Sequence, residues 1–586
     1  YVRQGDLYVE GVGDRTITRL TATGDSLHVN GMSDWVYEEE FGLRDGFRWS
    51  PDGKRIAYWN FDMTGVGTFR LINDTDSLYP EIIPIQYPKV GTTNSAVRAA
   101  VVSVAGGQPI WLDLPDDPRE SYLPRMEWAG PNEIVVQRMN RLQNANAVML
   151  ADATTGAART LLVERDSAWV DVVDDLTWLG GGREFLWVSE RDGWRHVYRV
   201  SRDGARLAPV TPGEFDVVDI AAVDEPGGWL YYTASPDNPT QRYLFRTRLD
   251  GKGRPERLSP TTEPGTHGYR ISPDGRWAFH TYSRADVPAG TDLVSLPRHG
   301  VERVLAGNAE QRAAVARAIG RPTEFFRVDV GGGVVLDGWM IKPKDFDSTR
   351  TYPVLFHVYG EPAGQTVLDR WQGAQGLWHH ALADQGYIVA SVDNRGTPAP
   401  RGRAWRKVVY GAIGVLSSQE QAEAVRRLTR QHRFMDSTRV AIWGWSGGGS
   451  STLQAMFRYP KVYALGMSVA PVPDQLLYDT IYQERYMGLP SLDPEAYRKA
   501  SPVNFAEGLS GRLLLVHGSG DDNVHYQGSE RLVNRLVQLG KSFDLMVYPN
   551  RSHCICEGQG TTRHIYSLLT RYLTEHLPPS PRAAVP

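Results

Sequence analysis

Two rhythms of apolar and polar positions divide the chain. From Tyr1 to about residue 305 the apolar runs are short and aromatic, as in Arg55-Ile-Ala-Tyr-Trp59, Ala99-Ala-Val-Val-Ser103, Phe185-Leu-Trp-Val188 and Trp229-Leu-Tyr-Tyr232. Polar turn signals separate them, chiefly the Asp-Gly pairs at 52–53, 192–193, 203–204, 250–251 and 274–275. Asp-Gly suits hairpin tips because those turns need positive φ. The unit Trp49-Ser-Pro-Asp-Gly53 returns as Ile271-Ser-Pro-Asp-Gly275, each followed by a strand-like run. Evenly spaced short strands over so long a segment predict propeller blades, with a β-sandwich as the alternative.

From about residue 306 the period changes. Buried strands are predicted at Tyr352-Pro-Val-Leu-Phe-His-Val358, Tyr387-Ile-Val-Ala-Ser-Val392, Val440-Ala-Ile-Trp443, Leu513-Leu-Leu-Val516 and Leu545-Met-Val-Tyr548. Helical patterns at 419–430, 529–539 and 564–576 lie between or after them. Strands alternating with helices predict a mostly parallel sheet covered on both faces. The fold class is therefore two-domain: an all-β propeller over 1–305 and an α/β domain over 306–578. A Pro/Ala-rich tail, 579–586, is expected to be disordered.

Composition changes this picture little. With 586 residues the chain needs at least two cores. Its 64 basic and 68 acidic residues give no reason to expect nucleic acid or an anionic membrane as partner. No run approaches the apolar length of a spanning helix. Cys554 and Cys556, the two cysteines, are too few for a disulfide framework or a metal cluster and read as buried thiols. Tyr1 opens directly on a strand pattern with no leader-like segment, which places the true N-terminus upstream.

The chemistry concentrates in Gly444-Trp-Ser-Gly-Gly448, which fits the G-x-S-x-G nucleophile elbow between an apolar strand and a helix-like segment. This makes Ser446 the candidate nucleophile of an α/β-hydrolase. An acid and a histidine should follow in that order, at the carboxyl ends of later strands. Asp521 and His553 fit, with Asp522 as rival acid and His517 and His525 as rival bases. His553 would take the serine's proton and Asp521 would orient the imidazole. No metal or organic cofactor is called for.

These residues sit in a longer set of matches. With Asp34-Trp-Val-Tyr-Glu-Glu-Glu40, Gln86-Tyr-Pro-Lys-Val-Gly91, Val358-Tyr-Gly-Glu-Pro362, Tyr478-Asp-Thr-Ile-Tyr-Gln-Glu-Arg-Tyr-Met-Gly-Leu-Pro490 and Asp521-Asp-Asn-Val-His525, the chain resembles the dipeptidyl peptidase IV branch of the prolyl oligopeptidase family over essentially its whole length. The resemblance implies an eight-bladed parent propeller capping the hydrolase domain, with the active site between them, and assigns the acid to Asp521. It implies that Glu39 and Glu40 bind the substrate's free amine and leave room for two residues before the serine. Tyr478, Tyr482, Val472 and Val524 would form a flat pocket for proline or alanine, and Asn523 would hold a substrate carbonyl. Tyr359 would join the backbone N–H of Gly447 in the oxyanion hole. Independently, Ser33-Asp34 reads as a helix cap, and two adjacent carboxylates facing a cavity can bind an ammonium by charge-assisted hydrogen bonds.

The expected function is a serine exopeptidase releasing Xaa-Pro or Xaa-Ala dipeptides from peptides with a free N-terminus. A tripeptidyl or acylaminoacyl peptidase, a related esterase and a non-catalytic propeller scaffold are the alternatives. The segment Leu78-Tyr-Pro80 to Gly91 resembles the arm through which relatives dimerise, and the resemblance implies a periplasmic or secreted location. Two departures from the family pattern stand out: Gly447 in place of a tyrosine, expected to leave the pocket roomier, and Gln475 in place of a tryptophan. The family's carbonyl-binding arginine would fall before Tyr1.

Overall fold

An Asp-Gly pair at a hairpin tip bends the chain through positive φ, and Gly53, Gly204, Gly251 and Gly275 stand at 67°, 75°, 72° and 66°. The two Ser-Pro-Asp-Gly units close identical turns. Ser50 Oγ and Ser272 Oγ donate to Asp52 and Asp274 at 2.7 and 2.6 Å, and each serine accepts from the backbone five residues on. In the computed structural model, which describes residues 1–583, such hairpins build six blade-like antiparallel sheets. A three-stranded sheet over 2–19 precedes a five-stranded one over 28–111. Four-stranded meanders follow over 121–165, 177–209, 217–257 and 266–306. Fully buried Trp59, Trp187, Tyr122 and Tyr232 fill the spaces between the sheets.

The last blade strand, Gly300–Ala306, gives way to a helix, Ala309–Ala318, and the large sheet of the second domain begins at Glu324. Of its first two strands, Glu324–Asp329 and Val335–Ile341, the second runs antiparallel both to the first and to Ile388–Val392. Ile388–Val392, Arg350–His357, Met435–Trp445, Leu465–Val469, Arg512–Gly518 and Asp544–Tyr548 then lie parallel in that spatial order. Near-continuous burial along these strands reflects helices on both faces, and two apolar clusters occupy the two sides. The chain is thus a propeller joined to an α/β-hydrolase domain.

The tail differs from expectation. Arg582–Ala583 pairs antiparallel with Arg350 and Thr351, where the central strand projects beyond its neighbours and has backbone groups to share. Arg439 Nη1 holds the approach at Ser580 O, 2.9 Å. Residues 584–586 of that tail lie outside the described residues.

Charge and apolar contacts dock the two domains. The hydrolase helix Arg403–Lys407 lies against the propeller, with Arg406 paired to Glu190 and Asp216. Lys407 Nζ stands 3.0 Å from Asp166 and 2.6 Å from Glu190, and Arg403 Nε stands 2.6 Å from Asp166. On the other side, propeller Arg141 forks onto Glu484 at 2.7 and 2.8 Å. Ile481, from the hydrolase helix Thr480–Met487, is buried inside the apolar cluster of the second and third blades.

Candidate active site

The strand Met435–Trp445 passes into the helix Gly447–Arg458 through one residue, Ser446, at φ 59° and ψ −121°. A non-glycine residue there costs on the order of 1–3 kcal/mol and persists only where its surroundings impose it. The glycines explain how the turn closes. A Cβ on Gly444 would come within 2.4 Å of Val358 O, and one on Gly448 within 2.2 Å of the same oxygen. The turn holds Ser446 clear of the sheet, half-exposed, with the Gly447 N–H opening a helix where no intrahelical acceptor reaches it. Tyr359 Oη, on the loop after the neighbouring strand, lies against the Ser446 side chain, and burial and Glu361 raise its pKa.

Asp521 and His553 follow the next strands at the same end of the sheet. His553 Nδ1 meets Asp521 Oδ2 at 2.8 Å, and Asp521 Oδ1 accepts the N–H of Asn523 and Val524 at 3.1 and 2.8 Å. Burial alone would raise the Asp521 pKa, but His553 and His517 hold it at about 2. Burial opposes a charged His553, yet Asp521 outweighs it and the imidazole pKa rises. Among the described residues no hydrogen bond joins Ser446 Oγ to His553, a looseness common in sites without substrate. Trp445 Nε1 donates to His553 O at 2.9 Å and ties the elbow to the histidine loop. The rivals are otherwise engaged: Asp522 accepts Trp35 Nε1 at 3.2 Å, His517 is sealed between Ser529 and Val524 O, and His525 stacks on Phe69.

Glu39 and Glu40 come from the propeller helix Trp35–Phe41, capped by Asp34, which accepts from Tyr37 N at 3.0 Å. Val36, Tyr37 and Phe41 turn into the propeller core, leaving Glu39 exposed and Glu40 half-buried in the cleft. Burial and Asp479 push the Glu40 pKa well up, against the pull of Arg485; burial also raises that of Glu39. A hydrogen-bonded chain crosses the gap between domains. Tyr478 Oη donates to Asn523 Oδ1 at 2.7 Å, and Asn523 Nδ2 donates to Glu39 Oε1 at 2.5 Å. Tyr478, Tyr482, Val472 and Val524 share one buried cluster with Tyr486, the two tyrosine rings 5.3 Å apart and edge-on.

Two details depart from the sequence reading, at Gly447 and at the cysteines, and a third residue gains its place. The space expected beside Gly447 is taken by Glu361, since a Cβ on Gly447 would lie 2.9 Å from Glu361 Oε2. Gln475 is buried beneath the pocket-bearing segment, its N–H on Ser501 Oγ at 2.9 Å. Cys554 and Cys556 are neither buried nor thiols: they form a disulfide. Ile555 between them turns inward and leaves both sulfurs exposed. Sequence reasoning missed Glu361, Asp479 and Arg485, although all three lie inside quoted motifs; the missing wall at Gly447 was the signal that another side chain had to fill it.

The propeller half, residues 1–289, matches the family model "Dipeptidyl peptidase IV (DPP IV) N-terminal region", and residues 377–579 match "Prolyl oligopeptidase family". A protein named "Probable dipeptidyl-aminopeptidase B" of Emericella nidulans is 31% identical over 95% of this chain and 64% of its own length. "Dipeptidyl peptidase 4" of Arthroderma otae is 30% identical over 99% and 77%. The crystal structure of Porphyromonas gingivalis dipeptidyl peptidase 4 superposes with a TM-score of 0.93 at 33% identity, covering 98% of this chain and 81% of that one. The chain therefore spans under two thirds of the length of the fungal aminopeptidase B it matches.

Proposed function

The chain belongs to the prolyl oligopeptidase family of serine peptidases, in its dipeptidyl peptidase IV branch, and from that premise we propose that it releases dipeptides, Xaa-Pro or Xaa-Ala, from free peptide N-termini. Ser446 attacks the carbonyl of the second residue while His553, its Nδ1 committed to Asp521, takes the proton on Nε2. Tyr359 Oη and the Gly447 N–H receive the charge that develops on the carbonyl oxygen. The same proton then leaves with the amine product, and water repeats the cycle on the acyl-enzyme.

The observation that supports the dipeptidyl reading best is the Asn523–Glu39 bond across the domain gap, which ties a propeller carboxylate to the loop that carries Asp521. Two carboxylates crowded beside Asp479 lack enough cationic charge, and a substrate ammonium supplies it. Glu40→Gln should lower kcat/KM on Gly-Pro substrates roughly 30- to 4,000-fold. N-acetyl-Gly-Pro, a poor substrate throughout, should lose far less, and a small fluorophosphonate should label the variant but not Ser446→Ala. Equal losses on both substrates would show that Glu40 supports the fold and not the amine.

The exposed disulfide beside His553 supports an oxidising location such as a periplasm or the exterior. The hairpin of Thr68–Asn73 and Glu81–Gln86 supports a homodimer: it leaves the blade and exposes Ile72, Leu78, Tyr79 and Ile82.

A further inference from the structure

Glu361 is a carboxylate beside the nucleophile that the proposed reaction does not use. It is 6% exposed, on the loop that also carries Tyr359. Its Oε2 accepts from Tyr482 Oη at 3.0 Å; its Oε1 receives no hydrogen bond from the described residues, yet is not fully sealed from solvent. The carboxyl fills the place that a side chain at residue 447 would take, beside the nucleophile, with Tyr359 next to it and Tyr482 of the pocket wall bonded to it. A largely buried carboxyl with one oxygen free of protein donors yet reachable offers that oxygen as an acceptor to a donor brought in by substrate. Burial also lifts its pKa to about 7, so the group hydrogen-bonds in either protonation state near neutrality.

An apolar wall at this place would serve proline or alanine better. We propose that Glu361 is a specificity-determining residue, and that the pocket prefers a short side chain carrying a hydroxyl donor, as in serine, threonine or hydroxyproline, at the position whose carbonyl Ser446 attacks. The inference rests on the aminopeptidase reading. Short reach follows from the place of the carboxyl, which meets the Gly447 backbone region next to the serine and not a distant pocket floor. In the complex, the substrate hydroxyl donates to Oε1 while Tyr482 keeps Oε2, so both carboxyl oxygens are served.

Two substrate pairs that differ by one oxygen test this: Ala-Hyp against Ala-Pro, and Ala-Ser against Ala-Ala, each as the aminomethylcoumarin amide. The wild type should favour the hydroxylated member about tenfold or more in kcat/KM, since a site built to receive a hydroxyl discriminates against its absence. Glu361→Leu should abolish or invert that ratio while cleavage of Ala-Pro persists. Glu361→Gln, of equal volume and able to keep the Tyr482 contact, should lower the ratio several-fold whatever its effect on Ala-Pro alone; it serves if the leucine variant does not fold. Damage to the fold alone would lower both members of a pair together. A ratio near one in the wild type, or one unchanged by both substitutions, overturns the role of Glu361. A preference for 2,4-diaminobutyrate over serine would overturn the hydroxyl class in favour of a cation. Cleavage of none of the free-amine substrates by an enzyme that still labels with fluorophosphonate would overturn the aminopeptidase reading itself, and the inference with it.

Discussion

Glu40, between Glu39 and Asp479, ionises reluctantly until a cation arrives. His553 is held the other way, its charged form favoured by Asp521. Amine capture needs Glu40 ionised and catalysis needs His553 neutral, so acid removes both. For a free-amine substrate kcat/KM should fall on the acid side with a slope greater than one. It should also fall on the alkaline side as the substrate amine deprotonates near pH 8. The N-acetylated analogue should show the His553 limb alone in profiles from pH 5 to 9; superimposable profiles would remove Glu40 from amine recognition.

Tyr359 gives a second residue-scale expectation. Its hydroxyl faces charge that exists only in the transition state, so Tyr359→Phe should lower kcat by roughly 10² to 10³ with little change in KM. An unaltered kcat in steady-state assays would make Tyr359 a packing residue. The triad candidates were legible because an elbow and the ends of later strands are local patterns. Glu361 was not, because its meaning lies in contacts with Gly447 and Tyr482, remote in sequence, and no local rule reports such a contact.

Whole elements read with uneven clarity, for physical reasons. The blade hairpins announced themselves through Asp-Gly chemistry that positive φ demands. The helix predicted at 419–430 runs from Val415 to Gln431, and that at 564–576 runs from Thr561 to His576, each starting earlier because its first turn lacks a side-chain cap that would mark the boundary. The short helix Arg403–Lys407 escaped notice, since five residues carry no period and its partners, Asp166, Glu190 and Asp216, belong to the other domain. That helix makes a testable joint. Lys407 is buried between two carboxylates, and Lys407→Met leaves both without its charge. Since Arg403 still serves Asp166 and Arg406 still serves Glu190, the loss should stay below the cost of a buried charge left without any partner, about 3–5 kcal/mol. The urea midpoint should drop, with activity lost in step; an unchanged midpoint would mean that Lys407 adds nothing to the joint beyond its neighbouring pairs and the apolar contacts around Ile481.

At the scale of the molecule, the architecture of a propeller and a hydrolase sheet was readable from the switch in apolar period near residue 306. How the two face each other was not, because docking depends on surfaces that each domain presents only once folded. The cleft they enclose joins a propeller helix to hydrolase loops through Glu39 and Asn523. If dipeptides are released as proposed, with the amine held on one side of that span and the serine on the other, the molecule counts. Every cut exposes a new amine two residues along, so only the even-numbered positions of the original peptide ever come before Ser446. A favoured residue at an odd position passes unread however many cycles run, and trimming one residue from the start exchanges the two sets. The fate of a peptide then depends on parity as much as on composition.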